Sequence, residues 1–485
     1  MAPLLCVALA AGGCAPASDG GPSRGVMLIA IDALRADHVG SAGYDRDTTP
    51  FLDSLAAEGV AFDQAFTTAP WVLPAHVSLL TGCDPQIAMR VLPDNVPRSV
   101  LTVWNVPDAA PRLPKEFLRA GFATAAFVDY PWLGSAQGFT PGFETFKPSD
   151  YTSNRREDVG ITAVGAKLEQ WVKNRPPGQD WFAYVHLNDL ERVWQTTDPK
   201  WDTYFPPREG LDTVPPIGDA DHLFFAIPRS RWSGGLHTIG EYEAQYDGAI
   251  RRVDTELARI FRRLEKFEAF QDVTVVVVGS HGLGFGEAGL ILDHGTLSDV
   301  DLHVPLIVRP GGGIEFQAGL RTDALASLMD VAPTLLAFYG LRIPADMQGL
   351  ALVDPMRGLE SPRPYAFAHC ALQEGYAVMD GRWCFERRCA WITRDPNLTL
   401  SWYGGPCDRE EPEELLHDRA NDDSLGHWQT DRARPVLMDR MRTAGMEWEA
   451  RVDAARRNLQ SERWSEPVPR EGREVSVPAA EGGAP

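Results

Sequence analysis

The stretch VMLIAID, residues 26 to 32, decides the fold of this 485-residue chain. A continuous apolar run that ends in an acid is typical of a buried strand with a polar side chain, here Asp32, at its carboxyl end. A second apolar run, VTVVVV at residues 273 to 278, predicts a central strand, and Ser280 and His281 follow it closely. Shorter apolar runs predict further strands at 124–128, 181–187 and 304–308.

Segments with helical periodicity separate these strands. Apolar residues recur with helical spacing at residues 50–60, 113–120, 241–267 and 326–341. Strands that alternate with helices predict an α/β fold, a three-layer sandwich around a mostly parallel central sheet. Because ligands bind beyond the carboxyl ends of the strands in such sheets, Asp32 is expected to meet the Ser280-His281 pair there.

The composition changes along the chain and predicts several regions. Residues 25–355 carry the strand and helix pattern of the large α/β domain. Beyond them the sequence becomes richer in Trp, Arg and Cys, which predicts a smaller C-terminal α+β domain over residues 356–462. Residues 463–485 are rich in Glu, Pro and Gly and are expected to form a disordered tail.

The first 22 residues predict export. PLLCVALAAG, residues 3 to 12, is too short to span a bilayer and fits the core of a signal peptide. The small residues before Cys14 resemble a bacterial lipobox, in which this cysteine would carry a lipid. An ordinary secretory signal cut elsewhere, or a mis-assigned start codon, is the alternative. We therefore expect an exported bacterial protein, periplasmic or at the cell surface, that meets the membrane only through a lipid anchor.

Composition also argues against nucleic acid as a partner and against a cysteine zinc site. The formal net charge of −21 would repel phosphate backbones, which excludes nucleic acid as a partner. The cysteines beyond the N-terminal region lack a CxxC pair, which argues against a cysteine zinc site. In an exported protein a disulfide is expected between Cys384 and Cys389, or from either to Cys407, with the connectivity left open. Those five cysteines are Cys83, Cys370, Cys384, Cys389 and Cys407.

A set of segments distributed along the chain carries a family resemblance. They include LIAIDALRADHVGSAGYDRDTTPFLDSLAAEGVAFDQAF (28–66), LPAHVSLLTG (73–82), VVVVGSHGLGFGE (275–287), DHGTLSDVDLHVPLIVRPG (293–311) and MDVAPTLLAFYGLRIP (329–344). In this order they resemble the sulfatase family of the alkaline phosphatase superfamily. The resemblance extends over about residues 26 to 440 and implies an alkaline phosphatase-like fold and sulfuric ester hydrolysis. It also implies a divalent cation, Ca²⁺ or Mg²⁺, that is held by carboxylates and activates a nucleophile at a helix N-terminus.

The nucleophile motif departs from the family pattern. That pattern is Cys or Ser, any residue, Pro, any residue and Arg, with Leu-Thr-Gly further along, and the Cys or Ser is converted to formylglycine. Pro74 and residues 80–82 set the register, which places Val72 at the nucleophile position and His76 at the arginine position. Valine has no heteroatom, so it can neither become formylglycine nor attack sulfur or phosphorus.

The metal motif departs as well. The family's Asp-His-Gly after the central strand is Ser280-His281-Gly282 here, so a hydroxyl replaces a carboxylate. Asp32 and His281 remain as candidate metal ligands, Ser280 marks a degraded ligand position, and a hard cation should bind such a set weakly. Asp32 could instead cap the next helix. Relatives often have Asp-Pro-His where residues 189–191 read Asp-Leu-Glu, so a catalytic histidine is missing there.

The remaining polar residues have open roles. His281 and His294 could act as general bases, bind a sulfate or phosphate as cations, or bind a transition metal as neutral imidazoles. Asp293 could replace the lost carboxylate, and Thr68 or Ser78 could replace the lost nucleophile. Structural roles are expected for Arg35 and Asp37, as an ion pair, and for Trp71 and Trp181, in the core.

These losses favour one function and leave another open. We expect a sulfatase-like pseudoenzyme that binds a sulfated or phosphorylated glycan, a small ester or a partner in the old cleft. The alternative is an active sulfuric or phosphoric ester hydrolase with a rearranged metal site and no side-chain nucleophile.

Overall fold

The computed structural model describes residues 23–91, 104–152, 158–195, 198–218, 226–287, 289–361, 363–370, 375–388, 413–420 and 434–462. The predicted signal peptide with Cys14 and the predicted tail lie outside these ranges. Within them, no helix combines the length and the apolar character that a membrane crossing requires.

Eight strands form one central sheet. In chain order they are β1 (Arg24–Ile31), β2 (Val60–Phe62), β3 (Ala123–Val128), β4 (Thr145–Pro148), β5 (Trp181–Leu187), β6 (Asp272–Gly279), β7 (Leu306–Arg309) and β8 (Leu320–Thr322). The order across the sheet is β8-β2-β7-β6-β1-β5-β3-β4. Only β7 runs against its neighbours β6 and β2 among these strands, which confirms the mostly parallel sheet.

Helices cover both faces of this sheet. The longer helices of the described residues are α1 (Pro50–Glu58), α2 (Val72–Thr81), α3 (Leu113–Arg119), α4 (Gly160–Lys173), α5 (Ile239–Leu264), α6 (Val331–Phe338) and α7 (Pro435–Glu462), all of which pack on this sheet except α7. Successive side chains of a strand point to opposite faces. Odd-numbered residues of β1 therefore pack with α1, α4 and α5, and even-numbered residues pack with α2, α3 and α6. The three-layer sandwich is confirmed, with β1 buried at its centre.

The helix predicted at residues 326–341 is shorter in the structure. Ala326–Ser327 is a strand and Leu328–Asp330 a 3-10 turn, so α6 begins only at Val331. Ser327 and Asp330 cap this turn reciprocally, and the Leu350 N–H also donates to the Asp330 carboxylate at 2.7 Å. These bonds fix the chain as it enters the helix, which is why the helical pattern does not extend back to residue 326.

The smaller C-terminal α+β domain is confirmed. Its four strands, β9 (Ala366–Cys370), β10 (Gly375–Met379), β11 (Trp383–Arg388) and β12 (Glu413–Asp418), form an antiparallel sheet on which α7 packs. Cys83 and Cys384 are buried free thiols, and the Cys370 thiol donates to Gly295 O at 2.9 Å. The free Cys384 thiol contradicts the disulfides expected with Cys384. Cys389 and Cys407 lie outside the described residues, so a disulfide between them stays a prediction, as does the boundary at residue 355.

Candidate functional site

Asp32 lies directly beyond the carboxyl end of β1. Its backbone N–H donates to the last residue of β5 at 2.9 Å, and the Ser280 N–H donates to the last residue of β1 at 3.0 Å. Ala33 follows with a φ of 57°, in the left-handed region that L residues seldom adopt. The Tyr246 hydroxyl holds this turn by donating to Ala33 O at 2.5 Å. The ends of three adjacent strands thus meet at Asp32, and its expected convergence with Ser280 is confirmed.

Three side chains contact the Asp32 carboxylate. The Ser280 hydroxyl donates to Oδ1 at 2.5 Å, and His76 Nε2 lies 2.8 Å from the same oxygen. His186 Nε2 lies 2.7 Å from Oδ2. All four residues have 0% of their surface exposed. The alternative that Asp32 caps the next helix is wrong, because Arg35 precedes that 3-10 helix and no side chain caps it.

The contacts of both ring nitrogens together determine the tautomers of the two histidines. The Asp129 backbone N–H donates to His186 Nδ1 at 3.2 Å, so Nδ1 carries the lone pair and Nε2 carries the proton. The Tyr184 hydroxyl lies 2.6 Å from His76 Nδ1 and donates to it when His76 Nε2–H faces the carboxylate. Both histidines therefore reach Asp32 as neutral N–H donors.

The charge states of Asp32 and His76 favour the hydrogen bonds between them. Burial by itself raises the pKa of Asp32, but the contacts with His186 and His76 outweigh burial and hold the pKa well below its usual range. Burial lowers the pKa of His76 from 6.5 to about 4, against the attraction of Asp32. At neutral pH Asp32 is therefore a carboxylate and His76 a neutral donor. Hydrogen bonds to a charged group are worth about 1.5–3 kcal/mol each.

Val72 begins α2 close to this group, since His76 lies one turn further along the same helix. Its side chain is 5% exposed and packs in the core, and no side chain caps the N-terminus of α2. The two rival hydroxyls are buried and bonded to each other, with Thr68 Oγ1 donating to Ser78 Oγ at 2.7 Å. Neither is therefore placed as a substitute nucleophile.

A second group, called the Glu191 cluster below, consists of Glu191, His281 and His294. His281 Nε2 lies 3.7 Å and His294 Nε2 lies 3.4 Å from Glu191 Oε1. The two imidazole rings have centroids 4.3 Å apart. His281 follows β6, and Glu191 lies in the 3-10 segment Leu190–Gln195 that follows β5. The cluster thus lies at the same edge of the sheet as Asp32.

Arg231 and Asp293 flank the Glu191 cluster. Arg231 Nη2 lies 2.8 Å from Glu191 Oε2 and 3.6 Å from Asp293 Oδ1. The same Asp293 oxygen accepts the His294 backbone N–H at 2.9 Å. Glu191 rather than Asp293 therefore supplies the carboxylate next to the histidines. Burial, together with repulsion from His281, lowers the pKa of His294 to about 4, so His294 does not serve as a cation for sulfate at neutral pH.

Other charged groups near the site belong to structural ion pairs. The expected pair of Arg35 and Asp37 is confirmed, with Nη2 2.6 Å from Oδ2. Asp247 is buried and lies 2.7 Å from both Arg46 Nη1 and His38 Nδ1. The Arg46 guanidinium therefore balances the charge of the Asp247 carboxylate.

The described residues contain three groups that could hold a metal ion, one each around Asp32, Glu191 and Asp247. Hard cations such as Ca²⁺ and Mg²⁺ take about six to eight oxygen ligands from carboxylates, carbonyls and waters, and need free carboxylate oxygens among them. Asp32 supplies one carboxylate, and both of its oxygens face N–H or O–H protons from His76, His186 and Ser280. The hard cation that the family resemblance implies therefore does not fit the residues at Asp32.

Comparison with known proteins identifies the family. The family model for sulfatases matches residues 24–341. The chain belongs to the sulfatase family. A Delta 4,5-hexuronate-2-O-sulfatase from Bacteroides thetaiotaomicron is 22% identical over 392 residues, which cover 76% of this chain and 79% of that protein. An arylsulfatase from Clostridium perfringens is 24% identical over 386 residues, with 68% and 77% covered. Among solved structures, a phosphonate monoester hydrolase of Agrobacterium radiobacter has a TM-score of 0.66 at 18% identity, covering 90% of this chain and 96% of that one.

The site of this sulfatase-family protein differs in three respects from the expectation. Asp32 and His281 were expected to share a cation, but they belong to different groups. His186 was missed, although its side chain and that of Tyr184 are polar positions two residues apart in the otherwise apolar β5, a spacing that puts both on one face. Glu191 marked only a missing histidine, yet it contributes the carboxylate of the second group.

Proposed function

We propose that this sulfatase-family protein does not cleave esters by the covalent route of its family and instead binds a sulfated ligand in the former active-site cleft. The observation that carries the proposal is the Asp32 carboxylate, whose oxygens contact three protein donors at 2.5 to 2.8 Å. In the family a cation beside this carboxylate activates the nucleophile and polarises the ester. Val72 removes the nucleophile at the same place, so both halves of that chemistry are lost together.

The ligand class follows from the relatives and from charge. The name of the Bacteroides relative specifies a 2-O-sulfated hexuronate, which supports a sulfated sugar as the ligand. Helix N-termini favour anions, and α2, which begins at Val72 near the Asp32 group, has no side-chain cap. The net charge of −21 would repel a long polyanion. We therefore propose a short sulfated saccharide.

A turnover measurement tests the loss of catalysis. Purified protein would be assayed with aryl sulfate and aryl phosphate esters in the presence of Ca²⁺, Mg²⁺, Mn²⁺ or Zn²⁺, with an active arylsulfatase as the positive control. We expect no turnover above the uncatalysed rate with any ester. Turnover that is lost in His281→Ala, with the variant still folded, would contradict the proposal.

A binding measurement tests the ligand. Calorimetric titration with a sulfated uronic-acid disaccharide and with its desulfated form would be done at low ionic strength. We expect saturable binding of the sulfated form only, weakened by added salt because the contact is ionic. Equal binding of both disaccharides, or of neither, would contradict a sulfate-recognising cleft.

The second candidate function is hydrolysis of a sulfuric or phosphoric ester without a side-chain nucleophile. The Glu191 cluster favours it, because its two imidazoles and a carboxylate lie at the strand ends where ligands bind. His281 or His294 would then act as a general base. Ester turnover that requires both histidines in the assay above would establish this function in place of the first.

Export and lipid anchoring at Cys14 are also part of the proposal. The relatives include bacterial sulfatases, which is compatible with an exported protein. Expression of the full chain in bacteria, with membrane fractionation and mass spectrometry of the N-terminal peptide, would test the anchor. We expect a diacylglycerol-modified cysteine at position 14 and release of the protein into the soluble fraction by Cys14→Ser.

A further inference from the structure

We infer that the Glu191 cluster is a transition-metal site, with Glu191 Oε1, His281 Nε2 and His294 Nε2 as ligands and Zn²⁺ or a similar borderline cation as its occupant. Two imidazoles and one carboxylate are a usual ligand set for Zn²⁺, whereas Ca²⁺ and Mg²⁺ prefer oxygen alone. The inference is independent of the proposed binding of a sulfated ligand.

The Nδ1 atoms of His281 and His294 both contact backbone carbonyls. The His281 Nδ1 lies 2.8 Å from Gly282 O, and the His294 Nδ1 lies 2.9 Å from Pro70 O. A carbonyl oxygen only accepts, so each Nδ1 carries the proton and each neutral ring has its lone pair on Nε2. In the neutral form of each ring, Nε2 therefore faces the Glu191 carboxylate as a base, without a proton between them.

The distances between the imidazole nitrogens and the Glu191 carboxylate exceed those of hydrogen bonds. A charge-assisted N–H···O bond is about 2.7–2.9 Å long. The His281 and His294 Nε2 atoms lie 3.7 and 3.4 Å from Glu191 Oε1, too far for such a bond. Two atoms that each lie about 2.0–2.1 Å from one Zn²⁺ at a tetrahedral angle are about 3.3–3.4 Å apart. The observed spacing thus matches ligands around a common ion better than a hydrogen-bonded pair.

Among the described residues, two buried polar atoms of the Glu191 cluster lack hydrogen-bond partners. In the part of the chain that the structure describes, neither His281 Nε2 nor Glu191 Oε1 has a hydrogen-bond partner, although both atoms are buried. His281 is 0% exposed and the Glu191 side chain is 9% exposed. A buried polar atom without a protein partner is usually satisfied by an ordered water, an ion or another bound group. A cation would satisfy both atoms at once.

Hydrogen bonds and an ion pair from outside the cluster orient its three ligand residues. Metal-binding histidines usually donate their other N–H to a carbonyl or a carboxylate, and ligating carboxylates are themselves hydrogen-bonded. Both histidines donate to backbone carbonyls here, and Arg231 contacts the second Glu191 oxygen at 2.8 Å. The Asp32 group has the opposite polarity, because its histidines direct protons rather than lone pairs at the carboxylate.

The test is metal titration of chelator-treated, full-length protein. Zn²⁺ and Ca²⁺ would be titrated calorimetrically, and Co²⁺ would report nitrogen ligation through its visible absorption. The ligand variants are Glu191→Gln and His294→Gln. His186→Gln probes the Asp32 group, and His237→Gln is the matched control, because this histidine is exposed and lies outside both groups. Circular dichroism and the melting temperature would show that each variant is folded.

We expect one equivalent of Zn²⁺ with no matching Ca²⁺ binding, and a loss of affinity of more than about tenfold in each ligand variant, since even outer partners are worth about 10–100-fold. His186→Gln and His237→Gln should bind Zn²⁺ like the wild type. Absence of Zn²⁺ binding would overturn the inference, and so would binding that survives both ligand variants or that is lost in His186→Gln. A folded His281→Gln that binds Zn²⁺ normally would overturn it as well. Binding of the sulfated disaccharide is measured separately, on metal-free protein, so failure of one proposal leaves the other testable.

Discussion

Replacing Ser280 by aspartate should make this protein dependent on a cation. Ser280 stands where the family resemblance places a metal-binding aspartate, and its hydroxyl donates to Asp32 Oδ1 at 2.5 Å. Ser280→Asp removes this donor and brings a second carboxylate into a site in which Asp32 is 0% exposed. The donors from His76 and His186 would then face two buried negative charges instead of one.

The expected cost follows from the distances. Ser280→Ala removes a hydrogen bond to a charged group, which is worth about 1.5–3 kcal/mol of unfolding free energy. Ser280→Asp adds repulsion between two carboxylates about 4 Å apart, which at an effective dielectric constant of about 20 is about 4 kcal/mol more. Ca²⁺ would relieve this repulsion, and a free concentration of about 100 times its Kd would restore about 2.7 kcal/mol.

The assay is urea denaturation at neutral pH of the wild type, Ser280→Ala and Ser280→Asp, each with and without Ca²⁺. Only Ser280→Asp should gain stability from Ca²⁺, and its excess cost over Ser280→Ala should shrink at low pH as one carboxyl takes up a proton. If Ca²⁺ stabilised the wild type as much as Ser280→Asp, the claim that protein donors replace the cation would be refuted. Equal stability of the two variants would refute the repulsion argument.

Three further predictions concern the same site. Burial lowers the pKa of His76 from 6.5 to about 4. This shift contributes about 3 kcal/mol to the unfolding free energy, which is fully present above pH 6.5 and is lost as pH falls towards 4. The stability difference between wild type and His76→Gln should shrink over that range, and a pH-independent difference would contradict the shift. Val72→Cys, coexpressed with the enzyme that generates formylglycine, should show no aryl sulfatase activity even where mass spectrometry detects the modification, because no cation binds at Asp32; restored turnover would contradict this. Arg35→Ala should lower the unfolding free energy by about 1.5–3 kcal/mol, because it removes a charged donor 2.6 Å from the mostly buried Glu287 carboxylate, whereas the Asp37 carboxylate, also at 2.6 Å, is half exposed and screened by solvent. A loss below about 1 kcal/mol in thermal denaturation would contradict this.

The sheet could be predicted from the sequence because its strands are continuous apolar runs. β1 and β6 are buried on both faces, so periodicity alone separates them from the amphipathic α1 and α5. The start of α6 could not be predicted, since it depends on capping bonds of Asp330 that involve the distant Leu350. The reversed direction of β7 also has no local signal, because strand direction is decided by the path of the connections.

The site could be predicted only as far as strand ends determine it. Asp32 and Ser280 converge because they follow neighbouring parallel strands. The contact between His76 and Asp32 depends on how α2 packs against the sheet, and the approach of Glu191 to His281 depends on the path of the segment after β5. Hydrogen-bond polarity, which separates the Asp32 group from the Glu191 cluster, can be read only from the three-dimensional contacts of each imidazole.

The most direct measurement is the tautomeric state of the four histidines at these two sites. Nuclear magnetic resonance of ¹⁵N-histidine-labelled, metal-free protein at neutral pH, assigned with single His→Gln variants, separates the two neutral tautomers and the imidazolium. The structure predicts that His76 and His186 carry the proton on Nε2, and that His281 and His294 carry it on Nδ1. A proton on Nδ1 of His186 or His76 would contradict the claim that neutral N–H donors hold Asp32 in place of a cation.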